Sequence, residues 1–321
     1  MESNESIRPF DFPEFTRSSV SIIGIGGGAG RIVDKMQMCK QFDADFCAFG
    51  MNRIEMSELS LAHKYIIGTD GLGSGKHRKF AETECDKSLH NLEEVIKNKS
   101  LSIFVVCLGG WTGEGCIKTF LKKAVEMQIK VRLVVATLPH SSEGIEKRRN
   151  AIMLLGGLQK LADGILVVDY DDLPCNTIIG LFEEADNKVI DTVNSFASLF
   201  VRLSRICFDW NDIRSFLGYH SYTKFVDYFT LSGSIDYLKT ELKDIRKFLP
   251  FKYLSLDDVS NLLIAIYYNR ETDDDTARDL FDVVHDYICI KLKRAKSKFT
   301  LYEVSTMPVG ILRIDIFTKC N

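Results

Sequence analysis

The chain has 321 residues, which is long enough for two domains with separate hydrophobic cores. Its 41 basic and 44 acidic side chains give a formal net charge of -3, so the composition indicates no basic surface for nucleic acid. Nine scattered cysteines form no C-x-x-C pair, which argues against a zinc site or a disulfide framework and favours a reducing compartment.

The N-terminal residues 1–17 are polar, contain two prolines and are expected to form a disordered tail. They lack the apolar core of a signal peptide. No apolar run in the chain approaches the ~20 residues that a membrane-spanning helix needs. We therefore expect a cytoplasmic protein without direct membrane insertion.

A glycine loop follows the first predicted strand, residues 20–25, and leads into a predicted helix that extends to residue 36. The loop consists of Gly26, Gly27, Gly28, Ala29, Gly30 and Arg31. The unpaired N–H groups and positive dipole end of such a helix suit a phosphate. Residues 24–29 also satisfy the dinucleotide fingerprint G-x-G-x-x-A, but the second predicted strand, 46–49, ends in Gly50-Met51-Asn52 without a carboxylate for a ribose. A dinucleotide-binding oxidoreductase is therefore a disfavoured alternative.

A second glycine loop has the same strand–loop–helix setting. It is Gly109-Gly110-Trp111-Thr112-Gly113-Glu114-Gly115, between a predicted strand at 103–108 and a predicted helix at 117–127. Its four glycines let the backbone approach a bulky ligand closely, although a tight turn without a ligand has the same pattern.

Between these loops lie a short predicted strand (64–68), a glycine-rich loop (71–75) and a long predicted helix (79–97). The glycine-rich loop is not a Walker P-loop, because Asp70 and His77 occupy the positions of the first glycine and the hydroxyl residue. We expect a flexible loop instead.

Strands predicted at 130–137 and 164–168, with a helix at 145–161 between them, continue the alternation of strands and helices. This alternation predicts an α/β fold with a mostly parallel sheet covered on both faces. Ligands of such sheets bind at the carboxyl ends of the strands, where both glycine loops fall.

The second half of the chain predicts a long helix, a short helix at 213–217 and a smaller α+β domain. That domain has predicted strands at 225–231, 261–268, 299–304 and 311–318 and predicted helices at 234–248 and 273–293. We divide the chain into a disordered tail (1–17), a ligand-binding domain (18–175), a central linking helix (176–205) and a second domain (206–321). The chain ends three residues after its last predicted strand, so no C-terminal tail is expected.

Five segments, in the right order, resemble motifs of the tubulin superfamily and most of all those of FtsZ. The resemblance covers residues 18–321. Residues 109–115 are similar to the family's GGGTGTG phosphate loop, residues 23–31 to its first glycine loop and residues 71–75 to its GLGAG segment. Residues 137–144 resemble its T-K-P…E-G segment, and Asp209 with Asp212 resembles its N-x-D-F-A-D loop.

This resemblance implies a GTP- or GDP-binding domain, Mg²⁺ as a candidate companion ion, and head-to-tail self-assembly into filaments that serve cell division. It implies slow GTP hydrolysis, which Asp209 and Asp212 of the next subunit complete, and it assigns no metal-ligating side chain. The implied nucleotide contacts are the six residues of the first loop together with Gly110, Trp111, Thr112, Gly113, Gly115, Glu143 (ribose), Lys147, Phe182 (base stacking) and Asn187 (base). Family members usually meet membrane tethers through a C-terminal tail, so no such tether is expected here.

Several positions depart from the family pattern. Trp111 replaces a glycine and Glu114 a threonine, and their bulk and charge are expected to weaken phosphate binding unless Mg²⁺ or Lys76 offsets the charge. Asn52 replaces an aspartate associated with magnesium. Other departures are Arg31 for a base-contacting asparagine, Asp186-Asn187 for Asn-Asp, Lys147 or Arg148 for an arginine, and Cys207 for the asparagine of the catalytic loop.

These departures leave an alternative open, namely a non-hydrolysing FtsZ paralogue with a structural or regulatory role. The spacing of Asp209 and Asp212, three residues apart at a helix start, also fits a helix cap with a solvated first-turn acid.

Overall fold

Ten strands form one sheet in the computed structural model, which describes residues 19–39, 42–174, 177–202, 208–218, 223–249, 256–272 and 274–320. The predicted tail, residues 1–17, lies outside these ranges. The strands are β1 (Val20–Ile25), β2 (Asp45–Gly50), β3 (His63–Ile66), β4 (Leu101–Cys107), β5 (Val131–Leu138), β6 (Gly164–Asp169), β7 (Phe225–Gly233), β8 (Val259–Tyr268), β9 (Lys296–Glu303) and β10 (Leu312–Cys320).

Their order across the sheet is β3-β2-β1-β4-β5-β6-β7-β10-β8-β9. All neighbouring pairs are parallel except β7–β10 and β10–β8, which are antiparallel. The predicted α/β class with a mostly parallel sheet is confirmed. The strands of the predicted second domain continue the same sheet through a short β6–β7 pairing, and the division into domains stays a prediction.

The α-helices of the described residues are α1 (Gly27–Met38), α2 (Arg53–Ser57), α3 (Arg78–Lys87), α4 (Leu89–Ile96), α5 (Trp111–Glu126), α6 (Ile145–Leu158), α7 (Ile178–Val201), α8 (Trp210–Leu217), α9 (Ile235–Leu242) and α10 (Asp274–Val284). None of them is both long and apolar enough to cross a bilayer. The single helix predicted at 79–97 is wrong, because Ser88 leaves helical geometry (φ -104°, ψ 7°) and separates α3 from α4. The Ser88 hydroxyl instead accepts a hydrogen bond from Gly68 N–H (3.3 Å).

Alternate residues of the central strands pack against helices on opposite faces of the sheet. Ile22 of β1 faces a core that contains α1 and α7, whereas its neighbour Ile23 faces a core that contains α3, α5 and α6. The first core continues into the C-terminal half, because Phe317 of β10 packs edge-on against Phe196 of α7 (5.4 Å between ring centroids). The long helix α7 therefore joins both halves of the molecule through one core.

A buried ionic group also fixes α7 to β10. Asp315 is fully buried and accepts hydrogen bonds from Thr230 Oγ1 (2.6 Å) and Arg313 Nε (2.8 Å). Arg313 also donates to the Ser195 hydroxyl of α7 (3.0 Å). Arg313 and Asp315, on one side of β10, thus form an internal contact with α7.

Candidate functional site

Both glycine loops lie at the carboxyl edge of the sheet and border one cavity of about 620 Å³. The loops approach each other closely, since a Cβ placed on Gly26 would lie 3.5 Å from the backbone nitrogen of Gly113. The predicted site residues that line this cavity are Gly26, Gly27, Gly28, Arg31, Gly110, Trp111, Thr112, Gly113, Glu143, Lys147 and Phe182. Two segments 84 residues apart in the chain, counted from Gly26 to Gly110, thus form one site.

Ala29, Gly30 and Gly115 are buried and do not line the cavity. A Cβ on Gly30 would lie 3.1 Å from Leu59, and one on Gly115 would lie 2.7 Å from Ala81 of α3. These small residues therefore let the two helices pack closely behind the loops.

Glu114 lies behind the second loop and does not line the cavity. Its side chain is buried, and its Oε1 accepts a hydrogen bond from Gly109 N–H (2.8 Å). The carboxylate therefore occupies one backbone donor of the loop, so that donor is not free for an anion. Trp111, the first residue of α5, is 43% exposed and lies at the rim of the cavity.

Glu143 and Lys147 form the opposite wall of the cavity. Lys147 Nζ donates to Glu143 Oε2 (2.6 Å), and a Cβ on Gly109 would lie 2.3 Å from Lys147 Cε. Arg148 is instead bound to Asp169 by two hydrogen bonds (2.6 and 2.8 Å), which raise the pKa of Arg148. Of the two candidates for the family arginine, only Lys147 therefore borders the cavity.

Phe182 and Tyr170 form an aromatic end of the cavity, with their rings edge to face at 5.8 Å. Asn187 is exposed and does not line the cavity. Asp186 does not line the cavity either, but it lies one helical turn after Phe182 on the same face of α7 and binds Lys35, a cavity residue, at 2.6 Å. The carboxylate at this end of the site thus belongs to Asp186, whose neighbour Asn187 is rotated by about 100° around the helix.

Asn52 begins α2 beside the first glycine loop. Its Oδ1 accepts hydrogen bonds from the N–H groups of Ile54 (3.0 Å) and Glu55 (3.4 Å). Its Nδ2 donates to Glu55 Oε1 (3.2 Å). Glu55 Oε2 lies against the first loop, because a Cβ on Gly27 would be 2.1 Å from it. In the sequence Glu55 is marked only as a carboxylate one helical turn after Asn52, the position where the family aspartate is missing.

Asp209 and Asp212 lie at the start of α8, where the side chain of each accepts a hydrogen bond from the backbone N–H of the other. Asp212 N–H donates to Asp209 Oδ1 (2.7 Å), and Asp209 N–H donates to Asp212 Oδ2 (3.1 Å). Lys298 of β9 also pairs with Asp212. The hydrogen bond from Lys298, followed by that from Asp209 N–H, lowers the pKa of Asp212. Cys207, the remaining departure in this loop, lies outside the described residues.

The helix α8 lies at the opposite edge of the sheet from the cavity. Lys130, which precedes β5, places its Nζ over the ring of Trp210 (5.9 Å to the centroid). A Cβ on Gly164, at the start of β6, would be 2.9 Å from Leu217 of α8. At about 3.3 Å per residue, strands of six to eight residues separate the two edges by roughly 20–26 Å. The structure therefore does not bring Asp209 and Asp212 to the cavity of their own chain.

A buried lysine fixes the end of α8. Lys319 of β10 is fully buried and donates to the carbonyl oxygen of Leu217. Burial, followed by the charge of Lys224, lowers the pKa of Lys319 to about 8.

Comparison with known proteins gives one family. The model of the Tubulin/FtsZ family, GTPase domain, matches residues 19–176. Cell division protein FtsZ 1 of Pyrococcus abyssi is 28% identical over 210 residues, which are 63% of this chain and 56% of that protein. This chain thus matches little more than half of the length of that relative.

Solved structures show the same fold along nearly the whole chain. An empty FtsZ dimer of M. jannaschii has a TM-score of 0.78 at 19% identity and covers 95% of this chain and 89% of its own. The GTPγS-bound CetZ2 protofilament of Haloferax volcanii has a TM-score of 0.70 at 16% identity, with 93% and 92% covered. The family match over residues 19–176 and the sequence relatives support a divergent tubulin/FtsZ-superfamily protein, and the solved structures show the same fold.

Proposed function

We propose that this chain binds GTP and GDP in the cavity between its two glycine loops. The observation that carries the proposal is that the starts of α1 and α5 converge on one cavity of about 620 Å³. Each start supplies unpaired N–H groups and a positive dipole end, so the pair suits a chain of phosphates. The volume falls within the range of pockets that hold small ligands, roughly 300–1,000 Å³.

The aromatic end of the cavity is the proposed base site. Phe182 is 45% exposed, so its ring has a free face on which a base can stack. Asp186 offers two acceptor oxygens for the two adjacent donors of guanine, N1–H and N2–H, and no donor that would favour adenine. Glu143, at the end of a 3₁₀ turn, lies where it can accept from ribose hydroxyl groups.

The chain is further proposed to assemble head to tail. The cavity lies at one edge of the sheet and Asp209 with Asp212 at the other, so stacked copies bring the aspartates of one subunit to the cavity of the next. A carboxylate acts on the attacking water only within about 3 Å or through one bridging water, so hydrolysis within one chain is not possible by this route. CetZ2, of the same fold, forms a protofilament.

Hydrolysis is proposed to be slow, because both carboxylates already cap α8 and Asp212 also binds Lys298. The same observation favours the second candidate function, a non-hydrolysing filament or regulatory protein. A role in cell division is proposed from the FtsZ relatives alone.

Calorimetric titration with GTP, GDP and ATP tests the nucleotide site. Phe182→Ala should weaken GTP binding by about fivefold to a hundredfold, since stacking of one base contributes about 1–3 kcal/mol. Ile179→Ala is the matched control, because Ile179 is an exposed residue of the same helix outside the cavity. Failure of the wild type to bind GTP, or equal affinity of the wild type and Phe182→Ala, contradicts the proposal.

Hydrolysis across the subunit interface needs a separate assay. Asp212→Ala should bind GTP normally and release phosphate slowly, and the wild-type rate per subunit should rise with protein concentration. At a GTP concentration that fills Asp212→Ala but leaves Phe182→Ala largely empty, a mixture of the two variants should recover activity, because one supplies bound GTP and the other supplies Asp212. GTP binding without any phosphate release by the wild type would support the non-hydrolysing alternative.

A further inference from the structure

Glu55 stands out among the cavity residues because its carboxylate lies against the backbone of the first glycine loop. A Cβ on Gly27 would be 2.1 Å from Oε2 and 3.1 Å from Cδ of Glu55. Gly27 is the first residue of α1, and no side chain caps this helix. The carboxylate thus lies at the helix start, where the N–H groups point towards an anion.

The position of Glu55 is set by the residue that replaces the family aspartate. Asn52 caps α2 through its Oδ1 and donates from its Nδ2 to Glu55 Oε1 (3.2 Å). The start of α2 is held in turn by the glycine-rich loop (71–75), since Gly73 N–H donates to Met51 O and Arg53 N–H donates to Gly71 O (2.9 Å each). The carboxylate of Glu55 therefore lies one helical turn after Asn52 and against Gly27.

The charge of the cavity lining adds a second argument. Its cations are Arg31, Lys35 and Lys147, and its carboxylates are Asp34, Glu55, Glu58 and Glu143, which gives three positive and four negative charges. Lys35 and Lys147 are also paired with carboxylates. A triphosphate that enters this cavity therefore meets a lining with no excess positive charge, and a counter-ion is needed beside the phosphates.

The donors present fit a small divalent cation. Mg²⁺ prefers oxygen ligands and in nucleotide sites is held by one or two carboxylates together with the phosphates. Among the described residues, no group of three potential ligands forms a closed metal site. Glu55 supplies the single carboxylate that such an arrangement requires, next to the helix start that faces the phosphates.

On the basis of the proposed nucleotide site, we propose that Glu55 makes nucleotide binding depend on a divalent cation. Without the cation its carboxylate opposes phosphates at the start of α1, and with the cation it would hold the ion and its negative charge would be offset. Glu55 thereby supplies the carboxylate that the family aspartate provides and that Asn52, an uncharged amide, does not.

The test is the affinity for GTP, measured by calorimetry in Mg²⁺ and again in EDTA, with the full chain. The wild type should bind at least about tenfold more tightly in Mg²⁺. Glu55→Gln should bind about fivefold to tenfold more tightly than the wild type in EDTA and lose most of the response to Mg²⁺, because one like charge beside the phosphates is gone.

Glu58→Gln is the matched control, since Glu58 borders the same cavity and the atoms nearest to a Cβ on Gly27 all belong to Glu55. Its response to Mg²⁺ should stay within about twofold of the wild type. The double variant Asn52→Asp with Glu55→Ala returns the carboxylate to the family position and should restore the response to Mg²⁺; aspartate also caps a helix, so α2 is preserved.

Three results overturn the proposal while GTP binding itself stands: an unchanged Mg²⁺ response in Glu55→Gln, an equal loss of response in Glu55→Gln and Glu58→Gln, or no recovery in the double variant. Absence of GTP binding by both the wild type and Glu55→Gln, in Mg²⁺ and in EDTA, overturns the proposed function as well.

Discussion

Replacement of Lys298 by methionine should accelerate GTP hydrolysis, because Lys298 holds one of the two aspartates proposed to act on the neighbouring subunit. Lys298 and Asp212 form an ion pair in which both side chains are about one-third exposed (34% and 33%). Such partly solvated pairs contribute about 0.2–1 kcal/mol. If Asp212 must leave this pair to orient the attacking water, the same free energy adds to the activation barrier. Methionine keeps the aliphatic stem and removes the charge.

The expected increase in rate is at most about fivefold, because 1.36 kcal/mol corresponds to a factor of ten. The assay is phosphate release per subunit at protein concentrations where sedimentation shows equal assembly of the variant and the wild type. Lys296→Met is the control, since Lys296 lies two residues earlier on β9 and forms no ion pair that involves Asp212. A rate for Lys298→Met that equals or falls below the wild-type rate at equal assembly refutes the reasoning, and Lys298 would then be a residue that supports hydrolysis.

Three further predictions follow from single contacts. Asp186→Asn should lower the preference for GTP over ATP by about tenfold, because one charged hydrogen bond to the base is lost. Asn187→Asp should change this preference by less than about twofold, and competition between GTP and ATP measures both variants. Glu114→Thr should strengthen GTP binding a few-fold by freeing the Gly109 N–H, and should lower the free energy of unfolding in urea by about 1–2 kcal/mol. The contribution of Lys319 to the unfolding free energy should rise between pH 8 and pH 10.4, since Lys319 with its folded pKa of about 8 loses its proton there while the unfolded chain keeps it. The difference in unfolding free energy between the wild type and Lys319→Met should therefore shift in favour of the wild type across this interval, and urea unfolding at both pH values measures it.

The fold and the two loops could be predicted from the sequence because their signals are local. An apolar run followed by glycines and a helical pattern predicts a strand, a turn and a helix start within about fifteen residues, and parallel strands bring such turns to one edge. Alternating strands and helices likewise predicted the parallel part of the sheet. These inferences need no knowledge of distant contacts.

Contacts between distant segments could not be predicted in this way. Glu55 meets Gly27, and Asp212 meets Lys298 86 residues later in the chain, because of how α2, α8 and β9 pack. No local pattern marks Lys298 as different from other charged residues, and the sequence marks Glu55 only by its place one helical turn after Asn52. Their roles depend on the folded arrangement alone.

The sequence predicts only in part that Asp186, and not Asn187, lies at the aromatic end of the cavity. Ala185 and Val189 are fully buried, and they fix the rotation of α7 so that Asp186 lies beside the cavity and Asn187 faces outward. The apolar stripe of this helix was visible in the sequence, but a motif match that follows the order of residues gave Asn187. The rotation of the helix, rather than the motif, decides which side chain reaches the site.

The nucleotide content of the purified protein tests the central claim most directly. The protein is denatured, the released small molecules are separated by chromatography, and their amounts are compared with the amount of protein. A guanine nucleotide in the cavity predicts GDP or GTP in the wild type, and much less in Phe182→Ala purified in parallel. Release of an adenine nucleotide or a dinucleotide instead, or equal guanine content in the two proteins, would contradict a guanine-nucleotide site between the glycine loops.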